Sequence, residues 1–172
     1  MWHAVQRLGF GFLCLFTWTM VVHEGPAACS AEGSSAVSSS SQRFVALFDG
    51  AAVTDVQTGF TWEQSPDFFY GAWTEAIAHC QAKTVGGQEG WRLPPIKALS
   101  TLIDSSQKDP ALPFGHPFGN IKSSIYWSST PSETDDIVAW HVSFFTGEVV
   151  TDQKSQTRRA WCMLDRNEPP RQ

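Results

Sequence analysis

Four aromatic words in a fixed order constrain this chain more than any bulk property. They are Thr58-Gly59-Phe60-Thr61-Trp62, then Trp73-Thr74-Glu75-Ala76 running on to Cys80, then Gly90-Trp91-Arg92-Leu93-Pro94, then Tyr126-Trp127-Ser128-Ser129-Thr130. Cys162 follows near the C-terminus. The chain holds eight tryptophans in 172 residues. Indole rings are large and mostly buried, so this many of them demand one packed aromatic core.

Size and charge narrow the classes. The length suits one domain with an appendage. Charged residues make up 17% and hydrophobic residues 42%, a balance that favours a substantial core. Net charge is −5, and Arg158-Arg159 is the one adjacent basic pair. A nucleic-acid binder needs a basic stripe, which the sequence lacks. The charge likewise disfavours dense binding of a polyanion.

The N-terminus predicts export. Residues 1–7 carry one positive side chain, Arg7, and residues 8–22 form an apolar run. That run is short of the roughly 20 apolar residues of a spanning helix and suits a cleaved signal peptide over residues 1–29. An uncleaved N-terminal anchor is the alternative. Pro26-Ala27-Ala28-Cys29 is similar to a lipobox, which makes Cys29 a candidate lipidation site. Pro26 stands where an aliphatic residue is usual, and ordinary cleavage after Ala31 fits as well. The expected address is therefore the periplasm, an outer-membrane lipoprotein or the secreted fraction, with membrane contact only through a signal or lipid anchor. Residues 30–42 are serine-rich and predict a disordered tether. The domain is expected over residues 43–165, and residues 166–172 as a disordered tail. Of the four cysteines, Cys14 leaves with the signal. If Cys80 pairs with Cys162, Cys29 is left over, and either lipidation or downstream cleavage accounts for it.

Within the domain, residues 44–48 suit a first strand, and Asp49-Gly50 a turn. Residues 53–55 and 59–62 read as two short strands or a broken hairpin. Residues 72–83 predict a helix: Trp73, Ala76, Ile77 and Cys80 share one face, which turns Cys80 inward. Val85-Gly86-Gly87 stops it. A second helix starts near Pro95, with Ile96, Leu99, Leu102 and Ile103 as its apolar stripe. Residues 107–120 show no period and read as an irregular loop with aromatic plugs. In Val138, Trp140, Val142 and Phe144 every second residue is apolar, which predicts a half-buried strand. Residues 159–164 read as a last strand. Segregated helices and strands predict an α+β fold, two helices packed on a small antiparallel sheet.

Taken in order, these words resemble the bacterial DUF1566 domain, also called the Lcl C-terminal domain. The matching stretches are residues 55–62, 73–80, 91–99, 126–130, 140–147 and 160–164. The resemblance implies a C-type-lectin-like fold, related to formylglycine-generating enzymes and to variable proteins of diversity-generating retroelements. It implies a binding module with ligand loops on one face, and a Cys80–Cys162 bridge like the one that joins helix to last strand in that fold. The sequence departs from the pattern at Gly90 (usually aspartate), at Ala98 (usually glutamate), and at Trp161 and Leu164 (usually arginines). Any preference of relatives for anionic ligands through those arginines is not expected here.

Several clusters invite chemistry, each with a plainer reading beside it. Trp91-Arg92-Leu93-Pro94 suits packing and a helix start. Trp127, Ser128 and Ser129 put hydroxyls beside an indole, as sugar sites do and as self-satisfied buried turns also do. Glu133, Asp135 and Asp136 are three carboxylates in one short segment. They could offer oxygen ligands to calcium, or simply form a solvated turn. The histidines are scattered, no zinc pattern or nucleophile elbow is present, and the paired active-site cysteines of formylglycine-generating enzymes have no counterpart. No cofactor, metal or catalysis is expected. The expected function is an exported, non-catalytic, adhesin-like binding module of a bacterial envelope or secreted protein. It would recognise an extracellular glycan or protein surface through residues 113–120 and 128–136, with Phe118, Trp127, Ser128, Ser129, Glu133, Asp135 and Asp136 as candidates. A structural envelope lipoprotein docking on a partner complex is the alternative, and a degenerate enzyme a third.

Overall fold

The computed structural model describes residues 42–164. The signal peptide, Cys29, most of the serine-rich segment and the tail lie outside the described residues. The element order is β1 (Phe44–Leu47), β2 (Ala52–Asp55), β3 (Thr61–Glu63), α1 (Trp73–Gln81), α2 (Ile96–Leu99) running into a 3-10 turn (Ser100–Leu102), β4 (Ile125–Pro131), β5 (Val138–Ser143), β6 (Val149–Gln153) and β7 (Met163–Leu164). The fold is α+β, as expected. It has two antiparallel sheets rather than one, with strand orders β1-β2-β3-β7 and β4-β5-β6.

Local chemistry explains the first sheet. Phe48, Asp49 and Gly50 all take positive φ, and the turn closes with Gly50 N–H on Leu47 O and Ala51 N–H on Phe48 O. Asparagine, aspartate and glycine tolerate that region best, which is why Asp49-Gly50 marks the bend. Asp55 ends β2 and builds the next turn, accepting Gln57 N–H on its carboxylate. Arg43 grips the same carboxylate at 3.1 and 2.8 Å and donates to Thr101 O, which ties the start of the domain to the 3-10 turn.

The second helix is far shorter than its apolar stripe suggested. Ser100 and Thr101 hydroxyls bond back to Lys97 O and Ala98 O, and Ile103 is extended. Such local bonds compete with continuation of a helix. The last strand is shorter too, because Trp161 and Cys162 precede β7 and lie wholly inside the core.

Two clusters make up the interior. One gathers Phe44, Trp62, Leu99, Leu102, Phe118, Tyr126, Phe144, Trp161 and Met163. Its centre is Trp161, packed edge-on against Phe118 at 4.8 Å and tilted against Trp62 at 5.7 Å. The other holds Ala76, Cys80, Trp91, Leu93, Trp127, Ala139 and Cys162, and α1 lies against it. The β4-β5-β6 sheet sits between the clusters. In β5, Ala139, His141 and Ser143 are therefore buried along with Val142, where alternation predicted one wet face. Cys80 and Cys162 are bonded across a separation of 82 residues, and neither is exposed.

Candidate functional site

The residues proposed from sequence divide into two sets. Phe118, Trp127 and Ser128 are buried. Phe118 fills the core between Phe44 and Trp161. Trp127 donates from Nε1 to Gly71 O and packs edge-on against His141. Ser128 donates to Trp140 O and accepts Thr130 N–H. These three serve packing and strand pairing. The stretch 128–131 also belongs to β4 rather than to a loop. Ser129 is half-buried, and its N–H donates to Pro94 O.

Glu133, Asp135 and Asp136 are exposed in the β4–β5 turn. Asp135 accepts Ile137 N–H at 2.9 Å, and the Ser132 hydroxyl accepts Thr134 N–H at 3.2 Å, so the turn satisfies itself. Among the described residues no three His, Cys, Asp or Glu side chains converge as metal ligands.

Two residues that sequence reasoning did not link to this turn complete the site. Lys154 donates from Nζ to Asp136 O at 2.6 Å and lies 4.6 Å above the Trp73 ring. Trp73 is fixed at both ends: its backbone N–H donates to Lys154 O at 3.0 Å and its Nε1–H to Ser128 O at 2.7 Å. Glu75 caps the start of α1 by accepting Ala72 N–H at 2.7 Å. A half-buried indole, an ammonium and a carboxylate turn thus share one face. Trp73 was legible as a core residue of the helix. Lys154 carried no signal, since it is one polar residue in a turn 81 positions away.

A second charged network lies beside the disulfide. Glu63 is almost fully buried; its Oε1 accepts Lys83 and its Oε2 accepts Cys162 N–H at 2.9 Å. Lys83 also reaches Asp67 at 3.1 Å, and Asp67 meets His79, which stacks on Phe69. Burial pushes the Glu63 carboxyl above its usual range, with Lys83 opposing. Asp67 also loses solvent, but Lys83, the Phe69 N–H and His79 hold it below the usual range. This network ties β3, α1 and the residue before β7 together.

His141, 4% exposed, has no partner at Nδ1 among the described residues. Burial pushes its pKa down; Asp152 opposes this and Arg158 adds to it. It packs edge-on against Trp127 within the sheet.

Among the described residues no helix is long and apolar enough to cross a membrane. A buried disulfide is a bond of oxidising compartments, consistent with an exported domain. No curated protein matches the chain. The model of the Lcl C-terminal domain matches residues 51–164, which takes in β2 through β7, both helices and both bridged cysteines. On that match the chain belongs to the Lcl C-terminal domain family.

Proposed function

We propose that this domain is an exported, non-catalytic binding module that recognises a glycan or protein surface. The observation that carries the reading is the face built by Trp73, Lys154 and the 132–137 turn. An indole offers apolar contact area, while the ammonium and the Glu133, Asp135 and Asp136 carboxylates offer orienting hydrogen bonds. The bonds that hold Trp73 and Lys154 support the reading, because these two side chains have little freedom left to lose on binding. Phe114, in the separate 113–120 loop, is 94% exposed and is a second aromatic open to a ligand.

The test is a glycan array and an extracellular-matrix panel, run with the unmodified chain and with Trp73→Ala, Asp136→Ala and Phe114→Ala. Loss of at least tenfold in affinity for one ligand class in Trp73→Ala supports the reading. Binding that survives all three changes refutes it.

A further inference from the structure

The charged network beside the disulfide holds more than an ion pair. Lys83 is shared by two carboxylates, Glu63 through Oε1 and Asp67 through Oδ2, the latter at 3.1 Å. The fold fixes Glu63 closely. Its Oε2 accepts Cys162 N–H at 2.9 Å, its carbonyl accepts Trp161 Nε1–H at 3.0 Å, and its N–H donates to Cys162 O at 3.2 Å. Asp67 is held from the side away from Lys83. Its Oδ1 accepts Phe69 N–H at 3.1 Å and meets His79 Nε2 at 3.1 Å. An ionised carboxylate offers no hydrogen, so His79 Nε2 carries it. The Phe69 ring stacks on His79 with centroids 4.3 Å apart and sets the plane of the imidazole.

These positions match the parts of an acyl transfer. A primary amine lies against one oxygen of a carboxyl group. Two N–H groups converge on the other oxygen, where negative charge grows as the carboxyl carbon becomes tetrahedral. A second carboxylate, bonded to the same amine, is placed to take its proton. Burial of that carboxylate favours its protonated form. Exposure fits as well. The Lys83 side chain is 13% exposed and that of Glu63 4%, while Asp67 is 51% exposed, which leaves a path for water to depart.

We propose that Lys83 and Asp67 join as an intramolecular amide, with Glu63 carrying the protons and Phe69 N–H and His79 Nε2–H steadying the oxyanion. The reactants are the ion pair itself, an ammonium and a carboxylate. Glu63 takes one proton from the Lys83 ammonium, and the freed amine attacks Asp67 Cγ. The C–N bond forms, and negative charge gathers on Oδ1. Glu63 passes its proton to Oδ2, then carries a second from the nitrogen to the same oxygen. The Cγ–Oδ2 bond breaks and water leaves. Of the three ammonium hydrogens, one stays on the amide nitrogen and two depart with Oδ2. No oxidant, activating group or outside proton is needed. Bulk water opposes condensation, but the fold holds the two groups in contact, and effective molarities of about 10⁵–10⁸ M for well-oriented pairs offset that opposition. The step occurs once per chain and turns over no substrate. The amide ties the loop after β3 to the residues after α1, and a reductant that opens the disulfide leaves it intact.

The experiment uses the full chain, held folded at neutral pH for several days, then reduced, alkylated and cut with glutamyl endopeptidase. Residues 64–75 and 76–89 should appear by mass spectrometry as one joined species, lighter than their sum by one water. Fragmentation should place the link at Asp67 and Lys83. Lys83→Arg keeps the charge but not the nucleophile, and should release the two peptides separately with no water lost. Glu63→Gln should slow joining at least tenfold. If its near-ultraviolet spectrum shows that it has not folded, His79→Ala takes its place with the same expected slowing, since it removes one oxyanion donor. Parent peptides that stay separate, a link at other residues, or a variant that joins as fast as the parent overturns the proposal.

Discussion

Removing the covalent tie between α1 and the residues before β7 tests how this domain is held together. The bridge closes a separation of 82 residues. In the chain-entropy model, −2.1 − 1.5R ln n cal/mol/K then gives about 4.5 kcal/mol at 25 °C. The unfolding entropy of a domain of about 120 residues is near 0.25 kcal/mol/K, so Tm should fall by about 18 °C. Cys80→Ala/Cys162→Ala adds a packing loss, because both side chains are fully buried. Wild-type chain unfolded, reduced and refolded under reductant keeps both sulfurs and isolates the cross-link. Calorimetry on the oxidised, reduced and double-alanine forms should rank them in falling order of Tm. The largest step should lie between oxidised and reduced. A reduced form within about 1 kcal/mol of the oxidised one would show that chain entropy in the unfolded state is not what the bridge constrains.

Two further predictions concern buried carboxylates, and their pH signs are opposite. Burial raises the Asp55 pKa, but Arg43, Gln57 N–H and Thr58 together hold it below 3.8. A depressed folded pKa contributes stability that is present above the unfolded value and lost as pH falls through the folded one. Asp55→Asn should therefore cost about 3 kcal/mol at neutral pH and flatten the acid branch of stability below pH 4, read by urea unfolding from pH 2 to 7. The Glu63 pKa is raised above 4.5, chiefly by burial. Its stability contribution is full below 4.5 and declines as pH rises through the folded value, so Glu63→Gln should remove that decline. Glu63→Ala strands Cys162 N–H and deprives Lys83 of one carboxylate, and should cost about 3 kcal/mol by the same assay. A steeper rather than flatter slope in Glu63→Gln would reverse the assignment.

Much of the fold was legible in the chain, and the reasons are local. Trp73, Ala76 and Cys80 fall on one helical face whatever surrounds them, and α1 forms where that spacing placed it. Asp49-Gly50 takes the positive φ that a tight turn needs. The candidate site was less legible. Phe118, Trp127 and Ser128 have the composition of a ligand loop, yet they are buried, because an indole beside hydroxyls suits a core strand equally well. Periodicity likewise gave β5 one apolar face, but the second cluster covers the other and buries His141.

The sequence alone determined the α+β class, the first helix and the inward-facing cysteine, since these depend on residue spacing along one element. Tertiary structure alone decided that Lys154 caps Trp73 and that Trp161 stands at the centre of the core. Those outcomes depend on which distant segments meet. A chain encodes such meetings only through the free energy of the whole packed interior, and not in any one stretch of residues.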